Sequence, residues 1–292
     1  MKPAPFKYTA PETVPEALSL LAEHGYDAKI LAGGQSLVPM MNFRLVQPAV
    51  IVDINRIPDL SFIDKKEKGL RLGAMVRHCQ AEKDPLIKNL APLVYETMPQ
   101  IATAQIRNRG TIGGSLSHAD PSAELVVVST ALEARFKLQN QKGERWVPAE
   151  EFFVGLLVTC MEPDEMLVEI ELPPLPAKTG CSLKEVSRRP HDFALVGVAA
   201  LVTLDKKERC EKAKLVYLSA GDGPISAPDA AVLLEGNEIS PEIITAAAEK
   251  ASRDEIDPGS DIHATAEFRR HLANVLTRRA LEEAYQRAKD RK

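Results

Sequence analysis

Cysteine is scarce. The 292 residues hold only Cys79, Cys160, Cys181 and Cys210, far apart and with no CxxC pair, so the chain offers no iron-sulfur or zinc framework and its thiols read as free. None of the six histidines forms HExxH or clusters with cysteine, which argues against a mononuclear metal site. GxxxxGK[ST] and GxSxG are also missing, removing the P-loop nucleotide triphosphatases and weakening every hydrolase reading. No apolar run approaches the roughly 20 residues that cross a bilayer, and the opening MKPAPFKYTAPETVPEAL contains no apolar leader segment. The expected location is cytoplasmic. Formal net charge is −4, the wrong sign for holding a nucleic-acid backbone.

The length, with 45% hydrophobic and 27% charged residues, suits a soluble chain of two or three units. Thr13-Val-Pro-Glu16 resembles a capping box, and Ala17, Leu18 and Leu21 then recur at helical spacing up to Gly25. Residues 28–32 and 50–54 read as buried strands, 60–64 and 70–76 as a hairpin, and 81–98 as helix broken at Pro85 and Pro92. Asp120-Pro121 predicts a helix over 121–134, beginning just beyond the segment TIGGS. The stretch PPLPAKTG at 173–180 marks the expected domain boundary. Beyond it, 183–189, 194–204 and 213–219 predict an antiparallel meander. A closing helix over 267–292 is expected to turn Phe268, Leu272, Val275, Leu276 and Tyr285 inward.

Two glycine segments carry the chemistry: AGGQS at 32–36 and TIGGS at 111–115. Either alone reads more readily as a turn than as a phosphate site. As a pair, each after an apolar stretch and each with a serine, they expose backbone N–H groups that can enclose a pyrophosphate. Gly221-Asp-Gly223-Pro-Ile-Ser226 imitates the dinucleotide fingerprint, but Pro224 removes a donor and Ser226 replaces the third glycine, so it reads as a surface turn. His118 is either a neighbour of the bound group or a structural histidine. Arg188-Arg189-Pro190-His191-Asp192 is a charged turn that is either solvated or reaches an anionic cofactor.

Taken together, LAGGQSLVPMMNFRL, QIRNRGTIGGSLSHADPSAEL and SRRPHDFALVGVAA resemble the FAD-binding medium subunit of molybdenum hydroxylases. This family includes the carbon monoxide dehydrogenase medium subunits and the central domain of xanthine dehydrogenase. The resemblance implies an α+β fold. Its first part is an FAD-binding domain of the vanillyl-alcohol oxidase (PCMH) type at 1–177, with subdomains at about 1–55 and 56–177. A smaller C-terminal α+β domain with an antiparallel sheet follows at 178–292. It also implies non-covalent FAD on Ile30, Leu31, Ala32, Gly33, Gly34, Gln35, Ser36 and Leu37, then Ile101, Thr111, Ile112, Gly113, Gly114 and Ser115, with Glu124, Leu167, Lys184 and Phe193.

The implied partners are a small 2Fe-2S subunit and a large molybdopterin subunit, assembled as a dimer of heterotrimers. The substrate is then oxidised at molybdenum and FAD is the electron exit to an external acceptor. No residue of this chain is assigned as a general acid or base, and no metal ligand is assigned. Gln35, Ser115, Glu124 and Phe193 stand where the family often has histidine, asparagine, aspartate and tyrosine, so the tuning of the flavin is expected to differ. The cysteine-rich insertion of the 4-hydroxybenzoyl-CoA reductase branch is missing. Bulky residues at Gly33, Gly34, Gly113 or Gly114 are expected to expel FAD while leaving the fold largely intact. Two rival readings are a stand-alone flavin oxidoreductase of this fold, which would turn over alone, and a flavin-free assembly protein, which would stay colourless when offered FAD.

Overall fold

Thr13 opens the first helix by accepting a hydrogen bond from Glu16 N (3.3 Å), while Glu16 Oε2 accepts from Glu12 N (2.9 Å). The expected reciprocal cap therefore forms, reaching one residue further back than the usual box. The helix, Val14–His24, buries Ala17, Leu18 and Leu21. It ends at Gly25, whose φ of +49° is one that glycine adopts without the Cβ penalty. Ala28–Leu31 and Lys7–Thr9 then pair in parallel with the two edges of Val50–Asp53. The computed structural model describes residues 1–67 and 69–291.

A second, five-stranded antiparallel sheet runs in the order Ile63–Lys66, Gly69–Gly73, Met166–Leu172, Arg135–Asn140, Gly143–Pro148. The hairpin expected at 60–76 is present with shorter arms, and Lys68 of its turn lies outside the described residues. Strand alternation sorts the side chains. Leu70, Leu72, Phe136 and Leu138 face a core shared with the helices Pro85–Leu90, Pro92–Thr97 and Glu124–Ala131. The other face carries the ion pairs Arg71–Glu169, Arg135–Glu171 and Lys137–Glu144. Pro85 and Pro92 each sit at the first position of a new helix, where a missing N–H costs nothing.

The C-terminal meander forms as Thr179–Ser187, Ala194–Leu204, Cys210–Leu218 and the short edge strand Ile225–Ser226, all antiparallel. Ala194–Leu204 is buried along all 11 residues because both of its faces are covered. Leu183, Ala199, Leu201 and Val216 join the preceding core, while Val196, Val198, Ala200 and Val202 pack towards the long helix Ala266–Asp290. No described helix is long and apolar enough to cross a membrane.

Two elements differ from expectation. The long helix turns inward Ala273, Leu276, Thr277, Ala280, Leu281, Ala284 and Ala288; of the expected face, Leu276 is buried, Leu272 and Tyr285 pack half-buried on the same core, and Phe268 is exposed. Small residues win that face because the helix backbone lies against Gly180, where any Cβ would overlap Ala284 O. The helix expected over 121–134 is Glu124–Ala131, and a separate one, Ile112–His118, begins inside TIGGS. Thr111 caps that earlier helix, while Asp120 Oδ1 is engaged in a local turn with Ser122 N (2.8 Å).

Candidate functional site

The first glycine segment leaves the end of the Ala28–Leu31 strand and turns into the short helix Leu37–Asn42. Gly34 takes φ +74°, a left-handed conformation that favours glycine. Among the described residues, the amides of 33, 34, 35, 36 and 37 donate to no acceptor. Gln35 turns its side chain back, Nε2 donating to Gly33 O (3.1 Å). Five successive N–H groups without partners, at a strand end, form a ready anion nest.

The second segment is built differently. Ile112 N donates to Val76 O (2.9 Å) and Gly113 N to Ala74 O (2.9 Å). Gly114 N donates to Thr111 Oγ1 (3.0 Å) and Ser115 N to Thr111 O (3.0 Å). Four of the five TIGGS amides are thus already bonded, because threonine caps the helix and Arg77 bridges Thr111. The expectation that both segments offer free amides is corrected: the first supplies the donors and the second supplies a wall.

Glycine matters at that wall for closeness. A Cβ on Gly33 would lie 2.5 Å from Arg109 O and 2.9 Å from Gly110 Cα, and one on Gly113 would lie 2.5 Å from Ala74 Cβ. A Cβ on Gly114 would meet Ala32 Cβ at 3.7 Å, so the two segments face each other directly. Enlarging Gly33 or Gly113 therefore strains the packing itself. This corrects the expectation that bulky replacements leave the fold intact.

The other proposed contacts spread around this seam. Ile30 and Ala32 pack on the N-terminal core, and Leu31, Ser36 and Leu37 are half-buried. Ile101 and Ile112 are buried in the central core, as is Leu167, whose strand bulges between Leu167 and Glu169; Val168 O there accepts from Ala74 N (3.1 Å), beneath Gly113. Phe193 ends an exposed turn and is itself 72% exposed.

Lys184 is not brought to the seam through its side chain. It shares a sheet face with Ser182 and Val186, towards the long helix, and Nζ pairs with Glu283. Alternation turns its neighbour Glu185 the other way, towards Glu124. Burial pushes Glu124 up to about 7, with Asp120 adding, and pushes Glu185 up to about 8, with Glu124 adding. Two carboxyls held without cations in this way are protonated more readily than ordinary ones.

Sequence reading missed four residues around the first segment. Tyr8 donates to Asp53 Oδ2 (2.6 Å), and Asn55 Nδ2 donates to Asp53 Oδ1 (2.6 Å) and Ala32 O (2.8 Å). Arg77 donates to Asn55 Oδ1 and to Arg109 O. Burial raises Asp53, but the hydrogen bonds from Tyr8 and Asn55 outweigh it and hold its carboxyl below the ordinary value. The signal available was the polar Asp53-Ile-Asn55 at a parallel strand end, where ligand-binding loops collect.

Residues 4–175 match the family model of the FAD binding domain in molybdopterin dehydrogenase, and 182–284 that of the CO dehydrogenase flavoprotein C-terminal domain. The chain is 41% identical, over its whole length and 98% of the relative, to 6-hydroxypseudooxynicotine dehydrogenase complex subunit alpha of Paenarthrobacter nicotinovorans. It is 39% identical to caffeine dehydrogenase subunit beta of Pseudomonas sp. (strain CBB1), covering 98% of this chain and 97% of that one. Among solved structures, it superposes with a TM-score of 0.95 on carbon monoxide dehydrogenase from Hydrogenophaga pseudoflava which lacks the Mo-pyranopterin moiety of the molybdenum cofactor, at 36% identity over 98% of this chain and 99% of that chain. With quinoline 2-oxidoreductase from Pseudomonas putida 86 the TM-score is 0.94, at 36% identity over 99% of each chain.

Proposed function

Because this chain belongs to the family of FAD-binding medium subunits of molybdenum hydroxylases, we propose that the free amides of residues 33–37 hold the FAD pyrophosphate against the wall made by 111–115. The chain is the FAD-binding subunit of a molybdenum-containing oxidoreductase complex, with its molybdenum and iron-sulfur centres on other subunits. The observation that carries the site is the run of five unpartnered amides facing a glycine seam. A diphosphate fits it: the donors are free, Gly34 supplies the left-handed turn, and no Cβ fills the seam at Gly33 or Gly114. The hydroxyls of Ser36 and Ser115 add donors at its two edges.

FAD, when bound, exchanges single electrons with iron-sulfur centres and pairs of electrons with an acceptor. The residues of this chain bind, orient and tune. Ile101, Ile112 and Leu167 line the apolar floor, Glu124 is the polar group facing the bound cofactor, and the exposed Phe193 ring shields one side of it without the hydrogen bond a phenol would give. Lys184 contributes through its backbone, its ammonium being held by Glu283.

The finer assignments belong to the same proposal. The FAD-binding domain spans 1–177 and the C-terminal domain 178–292. The partners are a small 2Fe-2S subunit and a large molybdopterin subunit in a cytoplasmic dimer of heterotrimers. The relatives named above act, by their names, on unlike molecules, including carbon monoxide, caffeine and 6-hydroxypseudooxynicotine, at 36–41% identity to this chain; this supports placing substrate choice on another subunit. Affinity purification from the native source, with metal analysis and flavin chromatography, tests the reading. Co-purifying molybdenum, iron and FAD is the expected outcome, and a metal-free chain that turns over alone with a hydride donor would overturn the assignment of partners.

A further inference from the structure

Two polar side chains tie the glycine segments to each other. Asn55 Nδ2 reaches Ala32 O (2.8 Å) at the start of the first segment, and Asn55 Oδ1 accepts from Arg77 Nη2. Arg77 Nη1 donates to the carbonyl of Arg109, the same oxygen that a Cβ on Gly33 would strike. The backbone of Arg77 is fixed as well: its N donates to Gln80 Oε1 (2.8 Å), and it forms a β-bridge with Thr111, the cap of the second segment. Asn55 is anchored in turn on Asp53, which Tyr8 holds from the neighbouring strand. The chain of contacts thus runs from the first segment, through one amide and one guanidinium, to the second.

The guanidinium gives its hydrogen bonds to neutral oxygens and has no carboxylate within ion-pairing distance among the described residues. Burial and the nearby Arg109 disfavour its charge more than Cys79 and Asp53 favour it, so an anion arriving at the seam stabilises a charge that has no direct ion-pair partner. Arginine is suited to the task because its planar fork reaches two acceptors at once, which an ammonium cannot do in the same geometry.

We infer that Arg77 and Asn55 are positioning residues that set the separation of the two glycine segments, and that the guanidinium of Arg77, which has no direct ion-pair partner, favours the FAD pyrophosphate between them. This rests on the flavin reading above. The full chain, stripped of flavin, is titrated with FAD at several salt concentrations, with melting temperatures recorded for the free and FAD-bound forms. Arg77→Met is expected to bind FAD at least roughly tenfold more weakly, as loss of hydrogen bonds from a charged donor implies, and to show a flatter salt dependence. Asn55→Ala is expected to weaken binding with the parental salt dependence, and Arg77→Lys to keep the salt dependence while losing part of the affinity. The losses of Arg77→Met and Asn55→Ala should not add in the double variant, since each breaks the same link. Parental FAD affinity in Arg77→Met overturns the latch, and an unchanged salt dependence overturns the role of its charge. If Arg77→Met fails to fold, Arg77→Lys and Asn55→Ala decide by the same criteria. A parental chain that binds no FAD overturns the flavin reading itself, an outcome distinct from either.

Discussion

Gly33→Ala is the most informative single substitution in this chain. The added methyl would stand 2.5 Å from Arg109 O and 2.9 Å from Gly110 Cα, both backbone atoms that cannot rotate aside. Ordinary contact near ~3.5 Å requires the two segments to part by about 1 Å. Overpacking of this kind costs about 1–3 kcal/mol, readable as reduced stability of the flavin-free chain in urea. The same displacement lengthens hydrogen bonds from residues 33–37 to a bound diphosphate. Loss of one such bond to a charged acceptor, about 1.5–3 kcal/mol, lowers FAD affinity roughly ten- to hundredfold. Gly259→Ala, where a Cβ meets nothing within 4 Å, serves as the control and should stay within about 0.5 kcal/mol of the parent. Flavin fluorescence titration and urea denaturation read the two effects separately. Parental stability in Gly33→Ala would refute the packing argument, and parental affinity would refute the placement of the pyrophosphate donors.

Further outcomes follow from the buried carboxyls and the close-packed helix. Glu185 and Glu124 have folded pKa values raised to about 8 and about 7, above the ordinary 4.5, so the native state holds more protons than the unfolded chain between those limits. Stability should therefore be greatest below about pH 4.5 for these groups and should fall as pH rises towards 8. Glu185→Gln should flatten that fall and stabilise the chain by up to about 4 kcal/mol at pH 8; an unchanged pH profile by urea denaturation would refute it. Gly180→Ala should push the long helix off its sheet, since the methyl would overlap Ala284 O and Ala288 N. A destabilisation of about 3 kcal/mol or more, with earlier proteolysis within 266–290, is expected.

Much of the secondary structure was legible because it rests on local chemistry. Thr13 and Glu16 cap a helix that Gly25 ends, Pro85 and Pro92 start new ones, and the long apolar run of 194–204 is the central strand of the meander. The sequence misled where a good local signal was used elsewhere. Asp120 accepts from Ser122 N in a turn, so the helix expected from 121 starts only at Glu124 and without a side-chain cap, while Thr111 opens a separate, earlier helix. On the closing helix, Leu272, Leu276 and Tyr285 pack on the core as expected, but the exposure of Phe268 and the small residues that let the backbone approach Gly180 were not foreseen.

The sequence by itself determined the pair of glycine segments, the family they belong to and the order of the elements, because these depend on residue identity and spacing along the chain. Tertiary structure alone decided how the pair is divided into donors and wall. Whether an amide is free depends on which carbonyl lies opposite it, and Ala74 and Val76 reach TIGGS from a distant part of the chain. The same holds for Asn55 and Arg77, separated by 22 positions, which meet only because the chain leaving Val50–Asp53 and the chain leaving Gly69–Gly73 fold against each other.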